Sequence, residues 1–269
     1  MALRLSRQKF EHSKDKNFTE FIQGRTFIGG YFYDNSIGSL ALPKEVNIVR
    51  SQYSLVFPSL SDGALANRAI AMQQSNDGKG LNFWDWNRKA LGMNLRMAEV
   101  GDITAYHRDA NLGVLYDTDG NLIKAQKGDK RLAQCRAAVN GTWVYLNDFC
   151  VTDKPGNSGF EGLAIKHVIG FEEGDINRPI FTEAEPLEKC VVDAWADVQG
   201  GRNRQGYYTD RAPVQEPEQG KTIFVGGFME GYASVFCADW RGDSLSYHWS
   251  PQYADPGLGV FLSAEGLAT

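Results

Sequence analysis

The sequence lacks the short local motifs on which most enzyme chemistry rests. No Gly-x-Ser-x-Gly elbow presents a nucleophile, and no His-Glu-x-x-His helix offers zinc ligands. The four cysteines, Cys135, Cys150, Cys190 and Cys237, are far apart and form no Cys-x-x-Cys pair. No apolar run approaches the roughly 18 residues that cross a bilayer. The opening Met-Ala-Leu-Arg-Leu-Ser-Arg has no apolar core of a secretory signal. The thiols are therefore expected to be reduced and buried, and the sequons at Asn17 and Asn140 are expected to stay unmodified. A net charge of −5 argues against direct nucleic-acid binding, which needs a basic face to neutralise phosphates. No internal repeat of about 20–50 residues is present, which disfavours propellers and solenoids.

What is present is glycine-punctuated, aromatic and β-leaning. The chain holds 29 glycines in 269 residues and is 12% aromatic, and many glycines separate short apolar runs. Strand character is read at 27–33, 46–49, 53–57, 142–146, 163–169, 222–225 and 233–237. Residues 112–125, with Asp117-Thr118-Asp119-Gly120 at the centre, carry a hairpin signal. The clearest helical candidate is 62–74, where Leu65, Ala69 and Met72 share one face and Ser61 or Asp62 can cap the start. The expected fold is mainly β, a barrel or sandwich with one or two short helices. The divisions read from composition are an arm at 1–20, a β-rich region with one helix at 21–100, a barrel-like domain at 101–198, a polar loop or linker at 199–221, and a C-terminal β segment at 222–269 that packs on the rest. The arm has a slight basic excess suited to docking.

Residues 167–181 are the most informative stretch. A short apolar run meets a Glu-Gly-Asp turn, and Arg178-Pro179 then launch a second apolar run. Gly174 permits a positive φ, Asp175 can bond its own backbone, and Arg178 can pair with Glu172 or Glu173 across the turn. The pattern from Phe171 through Gly174, Asp175, Arg178, Pro179 and Ile180 resembles the F-x-x-G-D-x-x-R-P-I signature in the OB-fold barrel of central-spike proteins of phage tails and type VI secretion machines. The resemblance covers about fifteen residues and implies an OB-like barrel in the middle of the chain. It also implies a structural role in a phage or phage-like particle (tail, baseplate or neck), assembled in the host cytoplasm. The implied partners are copies of itself and other particle proteins, with no membrane, no cofactor and no catalytic or metal residue. The chain departs from the family in two ways: residues 182–269 lack needle-like repeats, and Gly156-Asn157-Ser158-Gly159 stands where a Gly-Trp-Gly run is usual.

Two other constellations compete. His107, Asp109, a later His167 and Arg178 resemble the two-His, one-carboxylate iron site of 2-oxoglutarate-dependent oxygenases, with Arg178 as cosubstrate anchor. Trp240, Tyr247, His248 and Trp249 could instead stack against a sugar on a carbohydrate-binding β-sandwich. Two fragments carry no weight. Gly220-Lys221-Thr222 lacks the earlier P-loop glycine, since Gln215 stands there, and leads into strand-like sequence. Arg241-Gly242-Asp243 is a chance tripeptide.

Overall fold

The structure, a computed structural model, describes residues 25–28, 31–34, 48, 50–56, 68–76, 80–123, 130–153, 159–172, 175–239 and 242–265. The fold is mainly β, and three helices occur among these residues. Strands β1 (Arg25–Ile28) and β2 (Tyr31–Asp34) pair antiparallel, dividing the expected 27–33 run between them. Then come β3 (Tyr53–Val56) and β4 (Arg68–Ala71), followed by helix α1 (Phe83–Gly92) and β5 (Arg96–Met97). Helix α2 (Val100–Leu112), β6 (Tyr116–Asp117) and helix α3 (Arg131–Val139) lead into β7 (Thr142–Thr152). The rest is β: β8 (Leu163–Lys166), β9 (Val168–Glu172), β10 (Asp175–Phe181), β11 (Glu185–Pro186) and β12 (Ala194–Asp197). After them come β13 (Thr222–Phe228), β14 (Ala233–Asp239), β15 (Gly242–Trp249), β16 (Gly259–Val260) and β17 (Leu262–Glu265).

Two larger sheets form. One runs β11-β8-β7-β14-β15-β13-β12, with β16 beside β7, and curls into a half-barrel. The other runs β5-β17-β4-β3-β6. The C-terminal segment joins them. β16 lies parallel to β7 in the first sheet, and after Phe261 the chain continues as β17 between β4 and β5 in the second.

Helix α2 sits at the centre, packed against β3, β4, β7 and α3. Residues Asp102 through Ala110 are all buried, although the segment includes Asp102, His107, Arg108 and Asp109. An amphipathic helix shows an apolar stripe, but this one is enclosed on every side and shows none. Its start is held by a reciprocal cap: Glu99 stands at the N-cap and the Asp102 carboxylate accepts from the Glu99 N–H at 3.1 Å. Gly113 ends it in the left-handed region at φ 76°. The other two helices show the expected faces. α1 buries Phe83, Trp86 and Ala90, and α3 buries Leu132, Cys135 and Val139.

The helix expected at 62–74 does not form over the described residues of that stretch, 68–74. Residues 68–71 form β4, between β3 and β17, with Ala69 and Ile70 both fully buried. Burial on both faces of a central strand outweighs the helical preference of alanine. The 199–221 stretch has little regular structure, but it is not an exposed linker. It buries Tyr207, Tyr208 and Ala212 in the interior. The Asn203 side chain accepts from the Gln205 and Tyr207 N–H groups, both at 3.0 Å, and Thr104 of α2 donates to the Gly206 carbonyl at 3.1 Å. Gly206, at φ 88°, lies so close to Gly101 that a Cβ would overlap the helix backbone. Gly206→Ala is therefore expected to lower stability by about 2–3 kcal/mol in denaturant titration. A loss within experimental error would mean that the loop is not seated on α2.

Candidate functional site

Four segments bring ionisable side chains together at the N-terminus of α2. Arg68 on β4 places its Nη1 2.6 Å from Glu99 Oε2 and 3.3 Å from Asp102 Oδ1. Asp148, on β7, accepts from the Val100 N–H at 2.8 Å and from the Tyr207 hydroxyl at 3.2 Å. Neighbouring Asn147 holds the start of β9: its amide accepts from the Val168 N–H and donates to the Val168 carbonyl, each at 3.1 Å. Its backbone carbonyl lies 3.1 Å from His167 Nδ1, so that nitrogen carries a proton, and Glu99 Oε1 lies 3.8 Å from the same nitrogen.

The charges tune one another. Burial pushes Asp148 up to about 7, opposed by His167, assisted by the negative Glu99, and opposed again by the Val100 N–H and the Tyr207 hydroxyl. Burial would also raise Glu99, but His167, Arg68 and Arg96 outweigh it and hold that carboxyl at about 2. Burial pulls His167 down, and the Glu99 and Asp148 carboxylates more than offset it, so the imidazole is raised. Burial raises Asp102 as well, against the pull of Arg68. The side chains of Arg68, Glu99 and His167 are 15%, 16% and 19% exposed, so the cluster barely reaches the surface. Its hydrogen bonds and ion pairs tie β4, α2, β7 and the β8–β9 junction together.

Sequence reasoning missed most of these residues. Glu99 and Asp102 show the spacing of an N-terminal cap, and Asn147-Asp148 interrupt an otherwise apolar strand; those were the available signals.

The competing iron site does not assemble. His107 and Asp109 are two residues apart on α2, about 200° around the helix. His107 is fully buried, with Nε2 3.0 Å from Asp243 Oδ2 but without hydrogen-bond alignment, and its ring lies edge-on to Phe236. Asp109 turns to Arg108 at 2.6 Å. His167 belongs to the α2 cluster, and Arg178 is 69% exposed on the β9–β10 hairpin. Among the described residues no group of three or more His, Cys, Asp or Glu side chains is placed to hold a metal ion.

The aromatic group packs against its own neighbours. Tyr247 is buried and stacked on Phe228 at 3.9 Å, whereas Trp249 meets Trp143 and Tyr253 edge-on. Trp240 lies outside the described residues, as does the arm at 1–20. Asp243 of the Arg-Gly-Asp tripeptide is wholly buried, and Thr222 opens a strand rather than a helix. All four cysteines are free thiols. Among the described residues no helix is long and apolar enough to cross a membrane.

The hairpin of β9 and β10 forms its own two-stranded sheet beside α1. The expected turn pair forms: Arg178 Nη1 lies 3.4 Å from Glu172 and its Nε 3.3 Å from Asp175. Asp175 also accepts from the Asn177 N–H at 3.0 Å. Pro179 stands mid-strand, paired with Phe171, where a register shift accommodates it. Comparison with family models, with characterised proteins and with solved structures gives no match to this chain.

Proposed function

We propose that the chain is a structural component of a phage or phage-like particle, in the tail, baseplate or neck, acting through homo-oligomeric packing. The observation that carries this reading is the β9–β10 hairpin. Among the described residues its strands join the backbone ladder of neither large sheet, and it leaves Ile169 and Ile180 41% and 44% exposed. Exposed branched aliphatic side chains on the hairpin are suited to burial against neighbouring copies. The same hairpin carries the spike-like pattern from Phe171 to Ile180. The charged cluster at α2 supports the reading too, because its members are engaged with one another rather than turned towards a substrate.

Native mass spectrometry of the full chain tests this. A ring-sized homo-oligomer is expected, and the Ile169→Asp/Ile180→Asp variant is expected to dissociate to monomer with an unchanged circular dichroism spectrum. About two-fifths of each isoleucine remains to be buried, which contributes on the order of 0.6–1.3 kcal/mol apiece, and desolvating the carboxylates of the variant adds a larger penalty. A wild-type chain that stays monomeric at micromolar concentration would sink the proposal.

A further inference from the structure

Beyond its packing role, we propose that the cleft between α1 and the β9–β10 hairpin is a shallow binding site for a neutral saccharide. The cleft encloses about 410 Å³. Its aromatic walls are Trp84 of α1 and Phe171 of β9. Trp84 is flanked by the Phe83 and Phe149 rings at 4.9 and 5.4 Å and by Phe181 at 6.2 Å. A half-buried ring such as Trp84 packs against the C–H face of a pyranose, with the Phe171 edge and the Arg88 guanidinium that lies over it closing the other side.

The polar lining narrows the ligand class. Three carboxamides face the cleft, from Asn82, Asn177 and Gln252. The Asn82 oxygen accepts from the Asp85 N–H at 3.0 Å, so its NH2 group is what it offers outward. The side-chain amides of Asn177 and Gln252 have no hydrogen-bond partner among the described residues. A carboxamide both donates and accepts, which suits hydroxyl groups that do the same.

The charges disfavour an anion. Arg88 is ion-paired with Asp85 and lies over the Phe171 ring at 5.2 Å, so the lining has no net charge. A phosphate or carboxylate ligand would need an excess of cations. An apolar ligand would strand the three amides without partners.

Saturation-transfer difference NMR on the full chain, with maltose, cellobiose, lactose and N,N′-diacetylchitobiose as probes at about 10 mM, tests the site in the millimolar range expected for shallow sugar sites. At least one disaccharide is expected to show transfer to its ring protons. Asn177→Ala/Gln252→Ala alters only exposed side chains at the rim and is expected to weaken that binding about tenfold or more, with the mass of the assembly unchanged. Trp84→Phe is expected to weaken it as well. Absence of transfer from all four probes overturns the proposal. So does equal transfer in the rim variant, which would place any sugar elsewhere. A changed assembly mass in the rim variant would assign the cleft to a neighbouring copy and likewise overturn it. Because the Ile169→Asp/Ile180→Asp variant reads assembly separately, the two proposals fail independently.

Discussion

Replacing Arg68 with methionine is expected to destabilise the protein by about 3–5 kcal/mol, the cost of leaving a buried ion pair without its partner. The guanidinium is shared between Glu99 and Asp102, the two carboxyl groups that cap α2. Asp102 is 1% exposed, so its charge cannot turn to water when Arg68 is lost. Methionine fills similar space, which keeps the loss electrostatic rather than volumetric. Adding Asp102→Asn to the Arg68→Met background removes the stranded charge and still accepts from the Glu99 N–H. The double variant is expected to recover part of the loss, with a coupling energy above about 0.5 kcal/mol in a urea-unfolding cycle. An Arg68→Met variant within about 0.5 kcal/mol of wild type would show that the pair is solvated and contributes little.

The second large effect is in pH dependence. Asp148 keeps its proton in the folded chain up to about pH 7, while its ordinary value is 3.8. The stability it contributes is fully present below about pH 4 and is lost as pH rises through 7. Across about three pH units at about 1.4 kcal/mol each, the change is on the order of 4 kcal/mol. His167 adds slope of the same sign: its folded value is raised, so its contribution is present below the usual histidine range and lost as pH rises past it. Glu99 acts oppositely, being stabilising above 4.5 and losing that contribution as pH falls towards 2. The wild type is therefore expected to be most stable in weakly acidic solution and to weaken towards pH 8. Asp148→Asn mimics the protonated carboxyl, accepting from the Val100 N–H and donating to the Tyr207 oxygen. Its stability advantage over wild type should grow from pH 5 to pH 8 in thermal or urea unfolding. Parallel curves for the two proteins would mean that Asp148 does not titrate in this range.

The strands were legible wherever local chemistry and burial agreed. Tyr53–Val56, Thr142–Thr152, Thr222–Phe228 and Ala233–Asp239 all fall on β-branched or aromatic runs that the alphabet of the chain marks directly. The Asp117 turn was also legible, since its carboxylate accepts from the N–H groups of Asp119 and Asn121 at 3.0 and 2.9 Å. Two helices failed in opposite directions. The 62–74 segment has helix-favouring alanines, yet its described part is a strand because partners on both sides bury it. The α2 segment carries charged residues around its whole circumference, which reads as solvent-exposed or unstructured, yet it is the innermost helix.

By itself the sequence determined the β-rich character, the turn chemistry of the β9–β10 hairpin and the lack of a local catalytic motif, because each follows from residues adjacent in the chain. Only the tertiary structure decided which polar residues work together. Arg68, Glu99, Asp148 and His167 span a hundred residues, and no spacing rule links them. Likewise His107 and Asp109 are close in sequence but turned apart by the 100° step of a helix. Packing alone brings His107 beside the distant Asp243, whereas Asp109 is met by its chain neighbour Arg108.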